Sequence, residues 1–195
     1  MSEQFFKRIA PYIPNLNEYL NDGASDISML EKETGFTLPD SFKALYSIHN
    51  GDKDYIGLFF GLDWLSIDDI LFHWKNNKKW HNEFSSSDIV SFEKGKIKEE
   101  YYHPGWLPIA YDGGGNYIGF DFSPGPDGTV GQIISFGRDE EKLFVISNSF
   151  QELLDLLIQQ FECGNCRVVD EDEPHVAWRE EGHFFDDLQT ILVKK

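Results

Sequence analysis

The sequence predicts an α+β fold, a central, mostly antiparallel β-sheet with helices packed against it, and three stretches predict it. In Trp106 to Phe136, three short runs rich in β-branched and aromatic residues are separated by Asp112-Gly113-Gly114-Gly115 and by a Ser-Pro-Gly-Pro-Asp-Gly connection. Such turns join consecutive strands. In Ser149 to Phe161, Ser149 and Glu152 have the spacing of a capping box, and Phe150, Leu153, Leu154, Leu157, Ile158 and Phe161 repeat with the period of a core-facing helix. Between Ser25 and Gly51, two shorter helices are joined by Thr37-Leu38-Pro39.

Taken in order, residues 1–24 form a segment that Pro11 and Pro14 restrict to short helical pieces, with Phe5, Ile9, Tyr12, Ile13, Leu16 and Leu20 to pack inward. Residues 25–162 form the main domain. Ser25 or Asp26 caps its first helix and Gly35 ends it; Phe42 and Leu45, with Ile48 or His49, make the stripe of the second, which Asn50-Gly51 ends. Tyr55 to Phe60 reads as a short strand, and Ser66 to Asp69 as the cap of a helix reaching about His81. Residues 82–105 have the composition of a surface loop or mobile insertion, and Lys94, Lys96 and Lys98 alternate as on a lysine-guarded edge strand. In the middle run of the hairpins Ile118, Phe120 and Phe122 face the core, leaving Tyr117, Gly119 and Asp121 on a polar face. Lys142 to Ile146 makes a further strand. Residues 163–195 form an acidic extension whose Trp178, Phe184, Leu188, Ile191 and Leu192 are apolar enough to dock.

The 195 residues carry a net charge of −17. Nucleic acid is bound chiefly by neutralising its phosphates, so this charge argues against it and for a basic protein partner. The acidity is uneven. Residues 71–98 are locally basic, with six lysines, while acids gather at Asp170 to Glu173, Glu180, Glu181, Asp186 and Asp187. No apolar run has the length of a membrane span and no signal-peptide core is present, so a cytoplasmic protein is expected. Cys163 and Cys166 are spaced as half a zinc site, but His175 and His183 do not complete the usual ligand spacing; free thiols and no metal or cofactor are expected.

An ordered series then becomes recognisable: Gly35-Phe36-Thr37-Leu38-Pro39-Asp40, Asn50-Gly51, Trp106-Leu107-Pro108-Ile109-Ala110-Tyr111-Asp112 with its glycines, Asp121 with Gly128-Thr129-Val130-Gly131-Gln132, and Ser149-Phe150-Gln151-Glu152-Leu153-Leu154. It resembles the SMI1/KNR4 family, the core of the SUKH superfamily, over roughly residues 26–162. The resemblance implies a sheet with packed helices and a binding module without catalysis. Bacterial members resemble immunity proteins that neutralise toxins, often nucleases, and this is the leading expectation, since carboxylates can stand in for phosphates in a basic cleft. The alternative is a regulator of cell-wall synthesis, as the fungal members imply, against which the lack of long low-complexity arms weighs.

Asp63, Asp112, Asp121 and Asp127 are the candidate partner-facing residues. Asp112 and Asp121 flank the glycine-rich turn, which leaves a further alternative, a small hydrolase with this pair as acid and base. Against it, Asp112 before three glycines is a natural turn-former, Asp121 can brace the hairpin, and no nucleophile, phosphate-loop or metalloprotease motif is present.

Overall fold

The computed structural model of the chain describes residues 2–24, 26–81, 83, 88–170, 173–179 and 182–193. Helix α1 (Ser2–Ile9) leads through two 3-10 turns into β1 (Leu20–Asp22), α2 (Ile27–Thr34), α3 (Asp40–Tyr46) and β2 (His49–Asp52). Next come β3 (Asp63–Trp64), α4 (Ile67–Trp80), β4 (Val90–Ser91), β5 (Trp106–Tyr111), β6 (Asn116–Asp121), β7 (Gln132–Gly137), β8 (Lys142–Leu143), β9 (Val145–Ser147) and α5 (Phe150–Glu162). The chain closes with β10 (Cys166–Val169), β11 (His175–Trp178) and α6 (Phe184–Val193). The central sheet runs β3-β5-β6-β7-β9, antiparallel throughout. This is the α+β architecture expected.

The caps act as the sequence requires. Asp26 accepts from the Met29 N–H, Ser66 from Asp69, and Ser149 from Glu152, whose carboxylate reaches back to the Asn148 N–H at 3.0 Å. Ser25 lies outside the described residues. The apolar stripe of α5 is buried along its length, each large side chain contributing about 1.5–3 kcal/mol of apolar burial. Helices α1 to α5 gather on the sheet face that carries Ile118 and Phe120. The same core takes in Phe5, Ile9 and Leu16 from the N-terminal segment and Trp178, Phe184 and Leu188 from the C-terminal one. Phe184 stacks on Phe60 with ring centroids 4.2 Å apart.

Five expectations need correction. The second face of β6 is not polar: Tyr117 joins Trp106, Ile134, Phe136 and Leu143 in a smaller core that Ile89, Ile97 and Tyr102 close over. Residues 89–102 are therefore a built cover rather than a loose insertion, though Asn82 and the run 84–87 lie outside the described residues. Lys94 to Lys98 is a turn and not an edge strand, because its backbone is used sideways: Lys96 O accepts from the Gly125 N–H and the Gln132 amide, and Gly95 O from the Asp127 N–H. The second helix stops at Tyr46, and His49 and Asn50-Gly51 belong to β2, which pairs with β1. Finally, Tyr55 to Phe60 is a looped segment without a strand, for a reason that also builds the candidate site.

An acidic groove as the candidate functional site

Asp52 ends β2, and its Oδ2 accepts the backbone N–H groups of Gly57, Leu58 and Trp64, each at 3.0 Å. Gathering three donors around one oxygen curls the following residues into a tight loop, with left-handed backbone at Asp54 (φ 52°), Tyr55 (φ 58°), Gly57 and Phe60. Period-2 apolar character loses here to a local carboxylate. Gly51 lets this happen: at φ +82° a side-chain carbon there would sit 2.6 Å from Ser66 N and 2.7 Å from Trp64 O.

The loop, the start of α4 and the end of β5 enclose a groove of about 580 Å³ lined by Asp52, Asp54, Tyr55, Asp63, Asp69, His73 and Tyr111, among others. Burial pushes the Asp52 carboxyl up to about 8; the three backbone donors oppose the shift and the neighbouring Asp63 charge adds to it. Its other oxygen, Oδ1, is buried with no hydrogen-bond partner. Asp63, half-buried opposite Tyr111 in the β3–β5 pairing, is raised to about 6 by burial first and by Asp112 second. His73 meets the Tyr117 hydroxyl through Nδ1 at 3.0 Å and lies 4.6 Å from the Tyr111 ring; burial lowers its pKa.

Of the four sequence candidates, only Asp63 lines this groove. Asp112 is consumed by its turn: Oδ1 accepts from the N–H groups of Gly114, Gly115 and Asn116, Oδ2 accepts from the Asn116 amide at 2.7 Å, and the side chain is 7% exposed. Its charge nonetheless reaches Asp63, and it helps burial raise Glu140 to about 7. Asp121 is fully buried, accepting from the Ser123 N–H and the Gln132 amide, and so presents no surface to a partner. Asp127 is exposed in the connection between β6 and β7.

Asp112 and Asp121 do not meet. Asp112 bonds Asn116 across the turn and Asp121 lies five residues further along β6, which at the rise of a strand separates them by roughly 17 Å. Acid–base chemistry by this pair has no geometric basis. Of the acidic extension, Asp170, Glu173, Asp186 and Asp187 are described, and Asp187 takes the Trp178 indole N–H at 2.8 Å and Arg179 at 3.0 Å; Glu171, Asp172, Glu180 and Glu181 lie outside the described residues. Both cysteines are free thiols, Cys166 buried and Cys163 exposed. Among the described residues no three His, Cys, Asp or Glu side chains come together to hold a metal ion, and no helix is long and apolar enough to cross a membrane.

Sequence reasoning missed Asp52, Tyr55, His73 and Tyr111. The available signals were the Asp-Lys-Asp-Tyr run just ahead of Gly57 and the Asp69/His73 pair, which i, i+4 spacing places on one face of α4.

Comparison with known proteins bears on all of this. The profile of the SMI1 / KNR4 family (SUKH-1) matches residues 24–156. The cell wall assembly regulator SMI1 of Saccharomyces cerevisiae is 29% identical over 84% of this chain and 40% of its own length. The cell wall biosynthesis/cell cycle regulator smi1 of Schizosaccharomyces pombe is 33% identical over 76% of this chain and 32% of its own, and the glucan synthesis regulatory protein of Neurospora crassa is 28% identical over 93% and 42%. The chain thus spans well under half the length of these relatives, all named as regulators. With the ordered motifs, the antiparallel sheet and the profile match in agreement, the chain belongs to the SMI1/KNR4 family.

Proposed function

We propose that this chain is a non-catalytic protein-binding module that regulates cell-wall synthesis, and that the partner it holds is basic. The observation that carries the reading is the naming of its relatives as regulators of cell-wall assembly or glucan synthesis across 76–93% of this chain. Two further observations support it. The molecule carries −17, which steers a basic partner into encounter, and its open groove is lined by carboxyl groups. That the shared region carries no long low-complexity arms does not count against this role, since the relatives' additional length lies outside it.

Neutralising a basic bacterial toxin is the second reading, and the net charge favours it equally. The two separate in the native host. Deleting the gene should change wall glucan content and sensitise cells to a wall-binding dye. An unaltered wall, with growth newly sensitive to a secreted toxin encoded nearby, would overturn the regulatory role and install the protective one.

A further inference from the structure

Resting on the reading of the chain as a binding module for a basic protein, we infer that the groove between the N-terminal 3-10 turns (Ala10–Tyr12 and Leu16–Tyr19) and β10 seats an extended segment of that partner. The segment adds to the outer edge of β10 as a further strand, its apolar side chains alternating with lysine or arginine. The residues that line this groove fall at 12–19 and 168–174, outside the 24–156 that the family profile matches.

The backbone supplies the first observation. Strands β10 and β11 pair antiparallel, with Val168 opposite Val176. In such a ladder two facing residues either exchange both hydrogen bonds or turn their N–H and C=O groups outward. Val176 gives its N–H to Ile56 O at 2.7 Å, on the side away from β10, so Val168 and Val176 form an outward-turned pair. The N–H and C=O of Val168 therefore leave β10 on the side away from β11. No further strand lies there, and among the described residues neither group has a hydrogen-bond partner. The groove touches both Val168 and Val169, whose side chains point to opposite faces, so what it borders is the edge of the strand. A bare edge with a donor and an acceptor is completed by extended backbone, which presents both at matching spacing.

The walls and the charges around them state which segment fits. The groove measures about 430 Å³, and Tyr12, Pro14, Tyr19, Val168, Val169 and Pro174 give it its apolar lining. Tyr12 is 39% exposed even though its ring lies 6.1 Å from that of Phe161. Such walls take apolar side chains, and the alternation of a strand brings every second one against them. No lysine or arginine lines the groove; Asp170 does, and Glu18 and Glu173 stand exposed beside Tyr19 and Pro174. The Lys53 N–H donates to Tyr19 O at 2.7 Å, so the loop that builds the acidic groove also borders this one. Side chains between the apolar ones thus enter a negative field, which selects lysine or arginine.

The test uses the full chain and short fluorescent peptides in which valine, isoleucine or tyrosine alternates with lysine, read by anisotropy at fixed salt. These should bind, and the same peptides N-methylated throughout, which have lost their backbone donors, should not. Val168→Pro removes the outward N–H, leaves the bonds to β11 in place and should weaken binding about tenfold. Tyr12→Ala, on the apolar wall, should weaken it severalfold. Should Val168→Pro fail to fold, the methylated peptides answer the same question. Equal binding of methylated and plain peptides would overturn strand addition, and so would tighter binding of a lysine-bearing proline-rich peptide, which has few N–H groups to offer. Glutamate in place of lysine without loss would overturn the basic segment. Dimerisation of the chain that Val168→Pro abolishes would make a second copy the occupant and overturn a separate partner. Should no peptide bind while gene deletion still alters the wall, this inference falls and the regulatory module stands; an unaltered wall sinks the latter whatever the peptides do.

Discussion

The β5–β6 hairpin has carboxylates at both ends, and the two ends treat them differently. At one end Asp121 is buried and raised to about 6 by that burial, each oxygen bonded once, to the Ser123 N–H and the Gln132 amide, with Lys96 and Lys98 close by; its side chain is a brace. At the other end Asp52 and Asp63 sit around an open groove, Asp52 with an unpartnered oxygen and pushed toward neutrality by burial and the Asp63 charge, Asp63 by burial and the Asp112 charge. Identical chemistry yields a strut where both oxygens are bonded inside the core and an open acidic lining where the carboxyl groups border a groove. Sequence distance from a glycine turn does not distinguish these cases; hydrogen-bond bookkeeping does.

The sharpest contrast lies in the backbone. Gly51→Ala, under the groove, forces a side-chain carbon into Ser66 N and Trp64 O at positive φ, whereas Gly131→Ala beside Gln132 meets positive φ (84°) with nothing within 4 Å. The first should cost about 4 kcal/mol and the second about 1 kcal/mol in chemical denaturation. Equal costs would mean that the groove loop relaxes freely and is not the rigid frame described. Next in size, Asp121→Ala should lose about 3 kcal/mol, because it removes the acceptor of the part-buried Ser123 N–H and one of the two acceptors of the Gln132 amide, and leaves a void in the interior. A loss below about 1 kcal/mol would show that water or a neighbour replaces the carboxylate.

That difference also explains what the sequence made legible. Capping residues and period-3.6 stripes state their own partners, so α4 and α5 could be placed from Ser66 and Ser149, and α2 from Ser25 or Asp26, of which Asp26 makes the cap. The hairpins were equally plain from their turns. Less visible was anything decided by a distant group. Tyr55 to Phe60 has the composition of a strand, but Asp52 claims its N–H groups first. The face of β6 carrying Tyr117 and Asp121 looks polar in alternation until Ile89, Ile97 and Tyr102, from a stretch of polar composition, cover it. Of the site, Asp63 was legible as an acid beside a strand, and the turn-forming role of Asp112 was legible from its glycines. Asp52 was not, since its importance lies in three donors that converge only after folding.

The smaller effects concern protons. Asp52 is raised to about 8 from an ordinary 3.8, so between those values the folded chain keeps a proton that the unfolded chain has released. Its contribution to stability is therefore complete below about pH 4 and is lost as pH rises through 8. Asp63, raised to about 6, and Glu140, raised to about 7, act in the same direction over narrower windows. Asp69, Lys53 and His73 line the same groove, and His73, held down by burial, adds no opposing slope above pH 7. The denaturation midpoint should fall from pH 5 to pH 8, and Asp52→Asn, whose amide oxygen can still take the three N–H groups, should flatten the fall. An undiminished slope in that variant would assign it to the other acids or to net charge.

Asp63→Asn should change stability least, within about 0.5 kcal/mol at pH 7, since the carboxylate it removes has no ion-pair partner among the described residues and only loses the repulsion of Asp112. The small number matters because it sets Asp63 against Asp121. A carboxylate whose removal unfolds the chain belongs to the scaffold, and one whose removal leaves stability intact but weakens capture of the basic partner belongs to the surface that meets it. If Asp63→Asn were as destabilising as Asp121→Ala, both ends of the hairpin would be struts, and the receptive surface would have to be sought elsewhere.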